Sequence, residues 1–283
     1  MSKAVRRIAI SGASGFIGQH VLAALQHGDD EIVALCRDPA RLQQWQPRVE
    51  VLQLDHANPP ADAYEQMGRP DVLLHLAWQG LPNYQSLHHF EQELPRQYAF
   101  LSQLIAQGLP ALVVAGTCFE YGLQSGPLSV AQWPQPATPY ALAKHVLHQQ
   151  LCFLAQQTGV ALSWARLFYM HGSGQPPQTL WSQLEAAVAR GETRFNMSGG
   201  EQLRDYLPVA EVARQLLALT RTPGQPALCN ICSGQPVSVR RLVEGWIAEQ
   251  GWNIDLNLGH YPYPQHEPMA FWGVPARFGP ENI

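Results

Sequence analysis

The sequence predicts an α/β protein with a doubly wound parallel sheet and a smaller C-terminal lobe. Three observations predict it. Short apolar runs, such as "LPALVVA" at 109–115, have the length and continuity of buried strands. They alternate with segments whose apolar residues fall at helical spacing, and strands alternating with helices build parallel sheets. A glycine-rich turn, "GASGFIG" at 12–18, joins the first strand to the first helix.

In chain order, "RRIAISG" is the first strand. "SGFIGQHVLAALQHG" is the helix after it, with Ile17, Val21, Leu22 and Leu25 on one face and Gly28 as its stop. "DEIVALCR" forms the second strand, "PARLQQW" a short helix, "VEVLQLD" the third strand and "PDVLLHLA" the fourth. A helix follows over about 90–107, then the strand "LPALVVAG". Thr138 and Pro139 open the next helix as N-cap and first helical residue, and "GVALSWARLF" is a further strand. From about Tyr169, loop-rich segments ("HGSGQPPQ", "NMSGGEQ", "YPYPQHEP") separate short helices such as "LWSQLEAAVARG", which predicts the smaller lobe. The strand "ALCNICSG" returns to the sheet. The expected division is 1–168 with a return segment at about 208–233 for the main domain, and 169–207 with 234–283 for the substrate-binding lobe.

Composition narrows the function classes. Hydrophobic residues make up 46% of the 283 and charged residues 14%, which fits a folded chain. The net charge of -4, with no lysine- and arginine-rich run, excludes nucleic acid as an expected partner. No apolar run approaches the roughly 20 residues that span a bilayer. The N-terminus "MSKAVRRIAISG" lacks a signal-peptide core, so a cytoplasmic protein without a membrane partner is expected. Five cysteines do not make a disulfide framework. Cys229 and Cys232 form a C-x-x-C, but within a strand that offset puts them on opposite faces, so they read as two buried thiols. Without a second C-x-x-C or an H-E-x-x-H, no metal is expected. "LHHF" at 87–90 reads as a helix surface.

Two motifs carry chemistry. In "GASGFIG", Gly12 permits a tight turn, Gly15 lets the backbone approach a pyrophosphate, and Gly18 allows close packing of helix on strand. The helix N-terminus adds free N–H groups and partial positive charge. Between a strand and a helix, this is a Rossmann-like dinucleotide signature. In "PYALAK" at 139–144, Tyr140 and Lys144 lie four apart on one helix face. A tyrosine titrates at about 10, and a neighbouring cation lowers that value, which makes the pair a candidate acid/base unit. By itself the same spacing also describes a solvated helix face.

With these motifs the chain resembles the extended short-chain dehydrogenase/reductase family, in its sugar-nucleotide epimerase, dehydratase and reductase branch. "GASGFIG", "LQLD", "HLAW", "GTCFEYG", "PYALAK", "RLFYMHGSGQ", "RDYLPVAEVA" and "CNICSGQPVSVRRL" occur in the family's order. The resemblance implies Tyr140 as general acid/base. It makes Lys144 the residue that lowers the tyrosine pKa and holds the nicotinamide ribose, and Thr117 the hydrogen-bond partner of the reacting oxygen. Around the dinucleotide it implies Gly12, Ser14, Gly15, Phe16, Ile17 and Gly18 at the turn, Asp55 at the adenine, and His56, Leu76 and Ala77 along the cofactor. "RDYLPVAEVA" makes Arg204 a candidate anchor for a diphosphate, the alternative being an arginine paired with a neighbour. Tyr169 is a substrate contact at a position where many relatives carry asparagine.

The strand "EIVALC" is followed at once by Arg37, with Arg41 one turn further on. An arginine there suits a ribose 2'-phosphate and an acid suits the 2'-hydroxyl. NADP(H) is therefore expected and NAD(H) is the alternative, with Asp38 either facing the ribose or capping a helix. In the family's 4,6-dehydratases an aspartate and a glutamate follow the catalytic threonine; here those places hold Cys118 and Phe119. In its 3,5-epimerase/reductases a cysteine stands at the second of them. What remains is hydride transfer at a carbonyl. The resemblance implies a reductase of a nucleotide-linked 4-keto-6-deoxyhexose (a sugar-nucleotide substrate of dTDP-, GDP- or CDP- type) that feeds bacterial surface polysaccharides. A C4 epimerase and a non-catalytic dinucleotide binder are the alternatives. A homodimer is the expected assembly, and Glu120 either orders its loop or is solvated.

Overall fold

The computed structural model describes residues 5–26, 28–263 and 267–276. Of the segments read above, 1–4 at the N-terminus, His27, and 264–266 and 277–283 of the expected lobe lie outside the described residues.

Seven strands form one sheet: β1 (Arg7–Ser11), β2 (Glu31–Cys36), β3 (Glu50–Gln53), β4 (Val72–His75), β5 (Ala111–Thr117), β6 (Ala161–Leu167) and β7 (Leu228–Ile231). Their order is 3-2-1-4-5-6-7 and every pairing is parallel. The winding reverses between β1 and β4, which places a crevice at the carboxyl ends of those two strands.

Helices cover both faces, which explains the uninterrupted apolar runs; all seven residues of β5 are buried. On one face α1 (Phe16–Leu25) packs with a helix spanning Val209–Arg221, through Val21, Leu22, Leu216 and Leu217. On the other, helices Leu94–Ala106 and Pro139–Thr158 bring Phe100, Leu104, Leu147 and Leu151 against Leu73, Leu112 and Leu162. Thr138 caps the second of these, its side chain accepting from the Ala141 N–H at 3.2 Å, with Pro139 in the first turn.

The helix expected over about 90–107 departs from its pattern. Its first turn, His89–Glu93, is a π-helical turn that runs into Leu94–Ala106. Pro95 has no N–H to give and its ring excludes the carbonyl four residues back, so the wider turn precedes it. His89 and Glu93 point inward and are fully buried. The reading of "LHHF" as a helix surface is therefore corrected for His89.

A separate apolar cluster gathers Leu184, Ala187, Phe195, Met197, Val243 and Trp246. Short parallel pairs, Tyr169–His171 with Tyr206–Pro208 and Arg194–Asn196 with Asp255–Asn257, lie in the same sequence ranges. Asp205 ties this part to β7. Its buried carboxylate accepts from the Ser233 N–H at 2.7 Å, the Ser233 hydroxyl at 2.7 Å, the Gly234 N–H at 2.9 Å and the Gly273 N–H at 3.2 Å. Asp205→Ala strands these donors. It should lower the unfolding free energy by about 3 kcal/mol or more, read as a fall in denaturant midpoint; an unchanged midpoint would deny Asp205 this role.

Candidate active site

The glycine turn builds the first half of the site. Gly12 has φ 72°, and a Cβ there would lie 2.8 Å from the Ala77 nitrogen and 2.9 Å from the Leu76 carbonyl carbon. The turn after β1 is thus pressed against the chain leaving β4. A Cβ on Gly18 would lie 2.4 Å from the Gly12 oxygen and 2.6 Å from the Ala13 Cα, so only glycine lets α1 seat on its own turn. Gly15 is the N-cap of α1, with no side-chain cap and no acid in the first turn. Its N–H groups and partial positive charge are left for an anion.

A cavity of about 250 Å³ runs over this turn. Gly12, Ser14, Gly15, Arg37, His56, Leu76 and Ala77 all line it, and so does Arg41. Phe16, Gly18 and Asp55 do not: Phe16 packs edge-on to His20, and the Asp55 carboxylate accepts from the Ala57 N–H at 3.1 Å. Asp38 caps the turn after β2, accepting from the Ala40 N–H at 3.1 Å. The bare helix terminus, the glycine cradle and the two arginines fit a dinucleotide.

Beneath the cavity lies a polar layer. The buried His75 Nδ1 is 2.7 Å from the Ser11 hydroxyl, and burial lowers the imidazole to about 3. Glu93 accepts from the Gln79 N–H at 2.8 Å and from Gln97 Nε2 at 2.7 Å, while His56 Nε2 stands 3.6 Å away. Burial raises the Glu93 carboxyl, but the His56 imidazole, Gln97 and the Gln79 N–H outweigh it and hold the pKa at about 2. Glu93 and Gln97 together fix the segment Ala77–Gln79, since Gln97 Nε2 also donates to the Ala77 carbonyl at 3.2 Å.

The second half of the site lies at the ends of β5 and β6. A cleft of about 520 Å³ is lined by Thr117, Tyr140 and Tyr169, together with Ile17, Tyr84 and Phe119. Thr117 closes β5, and Tyr140 stands in the first turn of helix Pro139–Thr158. The rings of Tyr84, His89 and Trp78 surround Tyr140 at centroid distances of 5.5, 5.3 and 5.9 Å. Burial pushes the Tyr140 phenol well up and Tyr84 adds to this, while the Thr117 hydroxyl draws it partway back. The phenol is a protonated donor. His89 accepts from Trp78 Nε1 at 3.1 Å, and its other ring nitrogen lies 2.8 Å from the Asn83 carbonyl. Burial lowers its pKa, so it is a neutral brace for Trp78.

Lys144 donates to the Ala115 carbonyl at 2.8 Å and lies 4.0 Å above the Trp78 ring. Its ammonium is thus directed at a carbonyl and an indole, and burial lowers its pKa to about 7. This differs from the expected direct tuning of Tyr140. The helix puts both side chains on one face, but the end of β5 offers Lys144 a closer acceptor.

Comparison with known proteins decides the family. Residues 8–232 match the model of the NAD dependent epimerase/dehydratase family. The chain belongs to that family. It is an NAD(P)-dependent enzyme of the short-chain dehydrogenase/reductase type. One relative, a dTDP-6-deoxy-L-talose 4-dehydrogenase (NAD(+)) of Aggregatibacter actinomycetemcomitans, is 28% identical over 94% of this chain and 99% of its own length. A second, a dTDP-6-deoxy-L-talose 4-dehydrogenase (NAD(P)(+)) of Kitasatospora kifunensis, is 26% identical over 91% and 83%. Among solved structures, a UDP-N-acetylglucosamine 4-epimerase from Methanobrevibacter ruminantium M1 in complex with UDP-N-acetylmuramic acid superposes with a TM-score of 0.84. It is 18% identical and covers 97% of this chain and 91% of that one, a likeness of fold.

In this epimerase/dehydratase family member the remaining residues of "GTCFEYG" are accounted for by packing. Cys118 is buried and its thiol is pushed up to about 12 by desolvation. Cys229 and Cys232 are likewise buried, free thiols, raised by burial. Glu120 is fully buried and accepts from the Thr117 N–H, Trp164 Nε1 and Arg166 Nε, each at 2.9 Å. Arg204 does not line the cleft. It is buried, donates to Glu267 at 2.9 Å and lies over the Phe271 ring, the neighbour pairing weighed above as the alternative. Among the described residues no helix is long and apolar enough to cross a membrane.

Lys144 gives the free protein a pH signature. With a folded pKa of about 7 against the ordinary 10.5, the folded state binds fewer protons than the unfolded one between those values. Stability from this group therefore rises with pH across that window and falls as pH drops through it. Denaturant titrations at several pH values should show this rise in the wild type relative to Lys144→Met. Parallel curves for the two proteins would contradict it.

Proposed function

We propose that this enzyme reduces the 4-keto group of a nucleotide-linked 4-keto-6-deoxyhexose of dTDP-, GDP- or CDP- type, as a cytoplasmic step toward bacterial surface polysaccharide. The observation that carries the reading is Tyr140: a phenol kept protonated by burial, beside the Thr117 hydroxyl, in a cleft that adjoins the dinucleotide groove through Trp78 and the Gly15–Ile17 turn. The nicotinamide, when bound, supplies hydride to the carbonyl carbon. Thr117 holds the carbonyl oxygen, and Tyr140 delivers the proton that makes it a hydroxyl. Cys118, a buried thiol, and Phe119 supply no acid/base pair for eliminating water. That both relatives are named for oxidation at C4 of a 6-deoxyhexose supports the position of attack, since reduction is the same step reversed. Arg204, paired with Glu267, lies 4.6 Å over the Phe271 ring, which in turn packs on Tyr169 at 5.9 Å.

The assay is loss of reduced-cofactor absorbance with dTDP- and GDP-4-keto-6-deoxyhexose. Net consumption of cofactor is expected; none, with interconversion of C4 epimers, would make the enzyme an epimerase instead. Tyr140→Phe should bind cofactor normally and lose turnover by about 100-fold or more. Near-normal turnover would remove Tyr140 from the mechanism.

NADP(H) is the cofactor we propose as preferred. Arg37 and Arg41 line the groove where a 2'-phosphate would lie, and Asp38, the acid next to Arg37, is engaged as a cap. The two relatives' names differ in cofactor, so the family alone leaves the choice to these residues. NADPH should outcompete NADH in the wild type, and Arg37→Ala should erode that preference. Preference for NADH in both proteins would show that Arg37 does not read the phosphate.

A further inference from the structure

We infer that Glu120 is a positioning residue: its buried carboxylate, clamped by Arg166 and Trp164, fixes the Thr117 backbone and thereby aims the Thr117 hydroxyl at the reacting oxygen. The inference rests on the reading of Thr117 given under Proposed function.

Four observations carry it. First, Glu120 is outside the cleft lining but one helical turn from Thr117, and the two residues form a reciprocal capping box. The Thr117 hydroxyl oxygen accepts from the Phe119 N–H at 3.2 Å, and the carboxylate accepts from the Thr117 N–H at 2.9 Å. Rotation about the Thr117 backbone, and with it the direction of its hydroxyl, is tied to where that carboxylate sits.

Second, the carboxylate is itself immobilised. Trp164 Nε1 binds the oxygen that Thr117 uses, and Arg166 Nε binds the other. Both donors come from β6, the strand paired with β5, so the clamp is as rigid as the sheet. Arg166 lies 4.5 Å over the Tyr121 ring and His148 stacks on Trp164 at 4.8 Å, which fixes the two donors in turn.

Third, the backbone is shaped to admit this arrangement. A Cβ on Gly116 would lie 2.2 Å from Trp164 Nε1 and 2.6 Å from the Glu120 carboxylate. The residue before Thr117 is glycine because the clamp occupies the space of a side chain.

Fourth, a buried ion pair is a poor source of stability, since desolvation of both charges offsets their attraction. Arg166 and Glu120 are 1% and 0% exposed. Such a pair directly behind a reacting hydroxyl is explained by geometry, where a displacement of about 1 Å can change a rate on the order of 100-fold. Glu120 and the imidazoles of His145 and His148 lie close enough together to suggest a cation site. Both carboxylate oxygens already hold N–H donors, however, one of them from the Arg166 guanidinium.

The test is a double-mutant cycle, with dTDP-4-keto-6-deoxyhexose and NADPH as substrates. Thr117→Ala should lower kcat by about 100-fold, as loss of a hydrogen bond to the reacting oxygen does. Glu120→Gln should lower kcat by about 10-fold with KM nearly unchanged, and should add nothing in the Thr117→Ala background. If the two losses multiply, Glu120 acts through the fold or through its charge on Lys144 and Tyr140, and the positioning role is overturned. If Thr117→Ala leaves kcat unchanged, the role of Thr117 falls and that of Glu120 with it.

A second readout needs no substrate. Amide hydrogen exchange over 116–122 should quicken in Glu120→Gln, and unchanged protection of the Thr117 amide would overturn the link by itself. Should Glu120→Gln fail to fold, Arg166→Lys, which keeps a cation but shortens its reach, enters the same cycle with the same expected outcome.

Discussion

Past its last paired residue, a parallel strand leaves backbone N–H groups that need an acceptor. In this chain carboxylates meet that need along the carboxyl edge of the sheet. Asp38 accepts from Ala40 after β2, Asp55 from Ala57 after β3, and Glu93 from Gln79 after β4. Glu120 accepts from Thr117 at the end of β5, and Asp205 from Ser233 and Gly234 after β7. The turn after β1 is handled differently: it is closed by glycines, and the first turn of its helix contains no acid. That contrast leaves the first turn of the helix open to an anion. A phosphate bound there would take the position that a carboxylate occupies beside the neighbouring strands.

The same edge couples the two halves of the site. Because Gly12 admits no side chain against Leu76 and Ala77, the position of the glycine turn is set by the chain leaving β4. That chain is held from below by Glu93 and Gln97, and it carries Trp78 to the side of Tyr140. Groove and cleft are therefore referenced to one polar layer rather than to separate loops. Within that layer the hydrogen bonds to Glu93 hold its carboxyl down, to about 2.

What the sequence makes legible follows the range of the interactions. The strands, the glycine turn and the Thr138 cap rest on neighbours a few residues away, and the structure has them where the patterns put them. "TCFE" at 117–120 also has the form of a capping box, a local signal for the role of Glu120 that the family comparison of its neighbours passes over. Glu93 to Gln79, Asp205 to Ser233 and Arg204 to Glu267 join residues 14, 28 and 63 apart. No periodicity records such contacts, so the sequence leaves Arg204 between a diphosphate anchor and an arginine paired with a neighbour, without naming Glu267. His89 is missed for a different reason. The helical pattern assumes an even turn, and Pro95 forces a wider one that rotates the histidine inward.

Depth explains the division of labour between Tyr140 and Lys144. Both are buried, and burial disfavours whichever form is charged: the phenol goes up and the ammonium comes down. The tyrosine consequently stays protonated through neutral pH, while Lys144 gains or loses its charge near 7. Glu120 and Glu93 both act to keep that charge in place. Two carboxylates whose first task is to satisfy the sheet edge thus also bias the Lys144 ammonium. A lysine four residues from a tyrosine says only that the two can share a face. Burial sets the direction in which the ammonium shifts, and the acids buried behind it offset only part of that shift.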